Sequence, residues 1–284
     1  MKGMGAASVA APFRQRRNSS PIYIAGLFCL VFVTAQASAD DFADARKILK
    51  QADDMASKME PGFVRDNLFH DIALAEAQAQ DSKEAVHVAA HINESLSRSA
   101  TVEEIVEVLA ESGRIEEALN TAATIEDPVN RAGAIQIIVI ALIHGGRLTQ
   151  AVETAQRIHV DSTRYGALRD IAIAQAGAGD FKGALETVKT IKDLYRKNIA
   201  LEGIAIAQAK TGNIHAALLT AALIHDEFER ADAFGAIAEV QAQTGDREAA
   251  LAWIHKLNSP VHQSRALLGL ANGILLKAKT LAAK

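Results

Sequence analysis

Cysteine is nearly absent from the chain, which limits both its cross-links and its chemistry. The single cysteine, Cys29, lies inside an apolar run near the N-terminus and has no lipobox around it. Neither a disulfide framework nor a lipid anchor is therefore expected. The sequence also lacks a G-x-S-x-G turn, a Walker loop, a Rossmann glycine pattern and a cysteine nucleophile. These missing motifs indicate that the protein is not an enzyme and that it uses no cofactor.

Aromatic residues are scarce, at 5% of the chain with one tryptophan. A protein that binds glycans or other solutes needs aromatic platforms, so an accessory of an envelope enzyme is an alternative function with little support. Two of the nine histidines, His87 and His91, are four residues apart, as zinc ligands on one helix can be. No HExxH motif surrounds them and no third ligand has a telling spacing, so no metal site is expected.

No apolar run is long enough to span a membrane, and the longest one fits a secretory signal peptide. Three arginines within residues 14–17 precede an apolar run at 22–35, and Ala37-Ser38-Ala39 resembles a cleavage site. The run is shorter than the ~20 residues of a spanning helix. Residues 1–39 are predicted to be a cleaved signal peptide, with an uncleaved anchor as the alternative. We therefore expect export to a bacterial periplasm or secretion, without stable membrane insertion after cleavage.

The rest of the chain has an excess of acidic residues. Residues 1–39 contain four basic residues and no acidic one, which leaves 26 basic and 34 acidic residues and a net charge of −8. A nucleic-acid-binding protein needs a basic stripe to neutralise phosphates. No nucleic acid partner is therefore expected, and anionic membrane surfaces are disfavoured.

A 33-residue repeat runs through most of the chain. We number each copy from a leading basic residue, which is position 0. Position 7 is isoleucine and position 20 is alanine in all six copies, and position 15 is glycine in five copies and Gln80 in the first. Position 27 is isoleucine in five copies and Leu257 in the sixth. The six copies begin at Arg65, Arg98, Arg131, Arg164, Lys197 and Arg230. We interpret this basic column as helix-entry chemistry and not as a binding site.

Each copy predicts two helices joined by a tight turn. Apolar residues at positions 4, 7, 8 and 12 form one helical stripe, and those at 17, 20, 21, 24 and 27 form a second. The glycine at position 15 can take a positive φ and end the first helix, and a following aspartate such as Asp180 can cap the second. One hairpin cannot bury both stripes, whereas stacked hairpins can. The predicted fold is an all-α solenoid of about six helix-turn-helix repeats.

These columns resemble the tetratricopeptide repeat (TPR). The resemblance rests on the apolar residue at position 4, isoleucine at 7, a mostly small residue at 8, glycine at 15, an apolar residue at 17 and alanine at 20. The period is 33 residues, not the usual ~34, and the usual tryptophan and two aromatic residues are missing. One of those aromatic positions, 11, is glutamine in three copies: Gln175, Gln208 and Gln241. The resemblance covers 65–262 and implies a right-handed solenoid. Residues 40–64 and 263–284 are predicted to be the N-terminal and C-terminal capping helices.

The resemblance also implies a binding surface. In TPR arrays the first helix of each unit lines a concave face, and positions 2, 5, 9, 12 and 13 point to it. The predicted groove residues are His70, Glu103, Glu107, Gln136, His144, Arg169, Glu202, Lys210, Asp232 and Glu239. Isoleucine or leucine at position 9 of four copies would give this groove an apolar floor. The implied function is a scaffold that binds a protein or peptide; a self-associating structural protein that stacks end to end is a further alternative.

Overall fold

The computed structural model describes residues 39–282, and within them the chain is helical and contains no strand. The all-α class is therefore confirmed. Residues 1–38, which hold nearly all of the predicted signal peptide, lie outside the described part. The helices are α1 (Ala39–Ala56), α2 (Phe63–Gln78), α3 (Ser82–Ala89), α4 (Ser95–Glu111), α5 (Ile115–Ala122), α6 (Pro128–His144), α7 (Leu148–Ala155), α8 (Asp161–Gly177), α9 (Phe181–Lys189), α10 (Leu194–Lys210), α11 (Ile214–Ala221), α12 (Glu227–Thr244), α13 (Arg247–Ile254) and α14 (Pro260–Ala282).

Long and short helices alternate from α2 to α13. Each long helix packs against the short helix that follows it, and the two form a helical hairpin. Each long helix also packs against the long helix of the next hairpin. In the stretch 39–282, the structure has no helix with both the length and the apolar character needed to cross a membrane.

The turn inside each hairpin depends on one residue with left-handed backbone geometry. The five glycines at position 15 have φ between 69° and 100°, and Gln80 takes φ of 67° in the first copy. In α8 and α9, the N–H groups of Gly179 and Asp180 donate to the carbonyl groups of Ala176 and Gln175, which closes the end of the long helix. The Asp180 side chain then accepts a hydrogen bond from the N–H of Gly183 at 2.9 Å and caps the short helix. Both sequence predictions for this turn are confirmed.

The repeated columns form the core. The alanine at position 20 is fully buried in all six hairpins, and the isoleucine at position 7 is buried in all six as well. A methyl side chain at position 20 lets the short helix approach its neighbours closely. A larger side chain there would overpack the crossing, at a cost of about 1–3 kcal/mol.

Four arginines of the basic column join their hairpin to the one before it. Arg98 donates from Nη1 to the carbonyl oxygen of Ile92, the position-27 isoleucine of the preceding copy, at 2.8 Å. The same bond recurs three times with arginine, at 2.7 to 3.2 Å, and once with glutamine. Its other donors are Arg131, Arg164, Arg230 and Gln263. These bonds satisfy a carbonyl group at the end of a short helix, so the basic column is structural, as the sequence indicated.

Polar pairs are buried inside three of the hairpins. The glutamine at position 11 accepts a hydrogen bond from the side chain at position 23 of the same copy, with donor–acceptor distances of 2.8 to 2.9 Å. The pairs are Gln175 with Thr187, Gln208 with Thr220, and Gln241 with Trp253. The glutamines that depart from the TPR pattern are therefore matched by donors twelve residues later, and their amide groups are not left unpaired.

The first hairpin has a carboxyl group at position 11 and no donor at position 23. Glu76 is buried there opposite Val88, and its Oε2 has no hydrogen-bond partner within the described residues. Burial and the negative charges of Asp81 and Glu84 together raise the pKa of Glu76 to about 7. The buried Glu76 carboxyl, with one oxygen unpaired, therefore destabilises this hairpin.

The last long helix, α14, packs unusually closely against α12. A methyl group added at Gly269 would overlap the carbonyl oxygen of Gly235, and one added at Gly273 would overlap that of Glu239. The two backbones are thus in direct contact, which glycine alone allows at these positions. This contact fixes how α14 is rotated about its own axis.

Replacement of Gln80 by glycine is expected to stabilise the fold. The left-handed conformation costs a residue with a Cβ about 1–2 kcal/mol. Glycine avoids this cost, but it loses more backbone entropy on folding, which cancels part of the gain. We expect a net gain of about 1 kcal/mol and a rise in Tm of roughly 2–4 °C, measured by calorimetry. Gly113→Ala is the matched control, because its added methyl group meets no atom within 4 Å. It should lower Tm by a similar amount; a lower Tm for Gln80→Gly would contradict the account of the turn.

Replacement of Glu76 by glutamine is expected to remove a pH dependence of stability. The pKa of Glu76 is about 7 in the folded state, against 4.5 for an unperturbed glutamate. Between these values the folded state holds a proton that the unfolded state lacks, so the free energy of unfolding falls as pH rises from 4.5 to 7. Above pH 7 this fall in the free energy of unfolding is complete, and Glu76→Gln should raise that free energy by on the order of 2 kcal/mol. Urea unfolding at pH 5 and pH 8 measures this difference.

The control for this experiment is Glu116→Gln, which changes an exposed glutamate on α5. It should leave the difference in unfolding free energy between pH 5 and pH 8 as it is in the unaltered protein. If Glu76→Gln also leaves that difference unchanged, the buried carboxyl is not the source of the pH dependence.

Candidate functional site

All ten predicted groove residues lie on long helices. His70 is on α2, Glu103 and Glu107 on α4, Gln136 and His144 on α6, Arg169 on α8, Glu202 and Lys210 on α10, and Asp232 and Glu239 on α12. None of them is buried: four are exposed and six are half-buried. Their placement on the first helix of each hairpin agrees with the sequence analysis, and their role in lining a groove stays a prediction.

Successive long helices enclose open cavities on this face. Glu107 and His144 line one cavity of about 370 Å³ between α4 and α6, and Ile140 forms part of its apolar wall. His70 lines another cavity of about 700 Å³ between α2 and α4. The structure therefore brings Glu107 and His144 together and places His70 at a different junction. Four of the ten predicted residues, His70, Glu107, His144 and Asp232, line three separate cavities, so the ten do not converge on one pocket.

Some predicted residues are engaged within the protein. The His70 Nδ1 atom lies 3.0 Å from the Thr101 hydroxyl oxygen, across the junction of α2 and α4. That hydroxyl donates its hydrogen to the carbonyl oxygen of Ser97, so the imidazole nitrogen is the donor of the first bond. Arg169 pairs with its neighbour Asp170 at 2.7 Å. The charge of Arg169 is therefore already balanced, and this residue adds little attraction for an acidic partner.

The face becomes acidic on α10 and α12. Burial raises the pKa of Glu202 above its ordinary value, and the charges of Asp232 and Glu229 raise it further. Burial also raises the pKa of Glu103 on α4. Arg265 of α14 pairs with Asp232 and offsets part of this negative charge. A cation placed beside Glu202 would favour its ionised form, so this part of the face suits a basic group of a partner.

The structure also shows a column of exposed apolar side chains that the sequence analysis missed. It lies at position −2, two residues before the basic column, and its members are 39 to 81% exposed. They are Phe63, Leu96, Val129, Tyr195, Phe228 and Val261. The signal that could have revealed them is the same 33-residue period. We call these six residues the apolar column.

The apolar column lies on the same side of the long helices as the predicted groove residues. Positions −2, 2, 5 and 9 are three or four residues apart, which places them on one helix face. Phe63 lines the cavity that contains His70. Phe228 and Val261 line a cavity of about 520 Å³ that contains Asp232. Apolar and charged groups therefore meet in the same cavities.

The two histidines with zinc-like spacing pack as aromatic rings. The rings of His87 and His91 make an edge contact at 5.0 Å, and His91 makes a second edge contact with Phe69 at 5.1 Å. In the described stretch 39–282, no three histidine, cysteine, aspartate or glutamate side chains are grouped so that they could hold a metal ion.

Comparisons with known proteins identify no relative. No protein-family model and no curated protein matches the chain. Among solved structures, the chain is similar to the crystal structure of Ton1535 from Thermococcus onnurineus NA1, with 17% sequence identity over 79% of this chain and 84% of that one. The TM-score is 0.28. This similarity is too weak to support an argument about the fold or the function of this chain.

Proposed function

We propose that this protein is a non-enzymatic, exported TPR-like scaffold, a right-handed α-solenoid that binds a protein or peptide segment along one face of its long helices. The observation that carries this proposal is the apolar column beside the cavities between long helices. The proposal of export, to a periplasm or the medium, rests on the signal-like pattern of residues 1–39.

An exposed apolar side chain is common on a protein surface, but a repeated one is not. Single exposed residues of this kind need no explanation, whereas contiguous patches bordered by polar groups mark interaction sites. Here the exposed apolar residues occupy six of the seven occurrences of one repeat position, the exception being Ser162, and they lie next to polar groove residues. Burial of one such side chain by a partner contributes about 1.5–3 kcal/mol. Several of them together would give useful affinity after the cost of association.

The geometry of the column favours an extended partner segment. Packed helices lie about 8–10 Å apart, and three residues of an extended chain cover about 10 Å. A segment with an apolar residue at roughly every third position would therefore match the column. The acidic part of the face around Glu202 would favour a basic residue in the same segment. The net charge of −8 outside residues 1–39 also favours a basic partner.

Two exposed aromatic residues of the apolar column provide the test of this proposal. The double variant Tyr195→Ser with Phe228→Ser should reduce partner capture about tenfold or more, since each tenfold is about 1.4 kcal/mol. The measurement is recovery of a stoichiometric protein after cross-linking to the tagged protein in the envelope of its native host. Melting temperature should change little, because both side chains are exposed.

The matched control is Leu219→Ser with Leu223→Ser. These leucines are similarly exposed and belong to the intervening short helix and its end, away from the apolar column. The control should capture the partner as the unaltered protein does. Equal capture by both double variants, or equal loss in both, would refute binding through the column.

A further inference from the structure

The last helix, α14, lacks the short helix that follows every other long helix within the described residues. Position 4 is buried in all six hairpins, but its counterpart in α14, Leu267, is 40% exposed. Position 8 is also buried in all six, and its counterpart Ala271 is exposed. Positions 4, 8 and 11 lie on one face of the long helix. The short helix covers this face in the hairpins, as the bond between positions 11 and 23 shows in three of them. This face of α14 is therefore open.

The first helix, α1, shows the converse arrangement. When the repeat is continued backwards, α1 occupies the place of a short helix, and no long helix precedes it within residues 39–282. Position 23 is buried in five hairpins and half-buried in the sixth, whereas its counterpart Met55 is 71% exposed. Met59 corresponds to position 27 and is also exposed. The described contacts of α1 are with α2. The open face of α1 is therefore the one that a long helix covers elsewhere.

The contact of α14 with α12 keeps the open face of α14 turned outward. Gly269 and Gly273 lie against the backbone of α12, so α14 cannot rotate to hide Leu267 without losing this contact. The open face is a fixed feature of the fold and not a loosely packed end.

The two helices that bear the open faces also carry opposite net charge. The helix α14 contains Arg265, Lys277 and Lys279 and no acidic residue. The helix α1 contains five aspartates and three basic residues. Opposite net charges on the two helices favour their association and disfavour pairing of either helix with a copy of itself.

We propose that α1 of a second copy of this chain seats on the open face of α14 and completes a seventh hairpin. The contact is head to tail, so each pair of chains keeps one free α1 and one free α14. Such an interface does not close on itself and adds further copies in a row. It uses the short-helix face of α14 and is independent of the apolar column and of the proposed partner.

The test uses the whole chain and two blocking variants. Met55→Lys blocks α1 and leaves α14 free; Leu267→Lys blocks α14 and leaves α1 free. Light scattering after size exclusion should show that the mass of the unaltered protein rises with concentration. Each variant alone should keep the mass of one chain at every concentration. An equimolar mixture of the two should give a species of twice that mass. The α14 helix of Met55→Lys can pair with the α1 helix of Leu267→Lys, and nothing larger can form because both remaining ends are blocked.

A neighbouring leucine supplies the control. Leu268→Lys changes a residue of α14 that is 50% exposed and lines the cavity of Phe228 and Val261 instead of the open face, and it should associate as the unaltered protein does. Three outcomes would overturn the proposal. The unaltered protein could stay a single chain at every concentration. Association could persist in Met55→Lys, which would indicate pairing of α14 with α14. The mixture could fail to form the double-mass species.

Discussion

The left-handed residue at position 15 is the constraint on which the other features depend. It reverses the chain at the same point of every copy, so the short helix always returns along the same side of the long one. Only with that geometry can the alanine at position 20 enter the helix crossing and the isoleucine at position 27 reach the core. The carbonyl group of that isoleucine then meets the arginine of the next copy, as Ile92 meets Arg98. One backbone conformation thus sets both the packing and the joints between hairpins.

Much of the fold could be predicted because its signals repeat in the sequence. The isoleucine at position 7, the alanine at position 20 and the glycine turn all have the structural roles that their chemistry indicated. The glutamines at position 11 were read only as a departure from the TPR pattern. Their role could not be inferred from spacing alone, since it depends on a donor on a different helix, such as Thr187 for Gln175. Where that donor is missing, as at Glu76, the buried group remains unpaired.

The candidate site was less predictable than the fold. Residue spacing places Glu107 and His144 on exposed faces of two helices, but their meeting in one cavity depends on how α4 and α6 cross. The apolar column was missed for a related reason. An apolar residue near the start of an amphipathic helix looks like part of the core stripe, and only the structure shows that Phe228 faces solvent. The extent of the repeat was predictable, whereas the uncovered faces of α1 and α14 show only when the packing of residues 39–282 is known.

The joint between hairpins has a consequence for how the chain reaches its folded state. The bond from Arg98 reaches back six residues, and the bond between Gln175 and Thr187 spans twelve. Helix packing involves the same hairpin or the next one. Folding therefore requires no long loop to close, and proteins dominated by such local contacts fold quickly. Because each hairpin packs against its neighbours in the same way, folding can start in any hairpin and spread in both directions. A whole 33-residue copy can be gained or lost in evolution while the remaining joints stay intact.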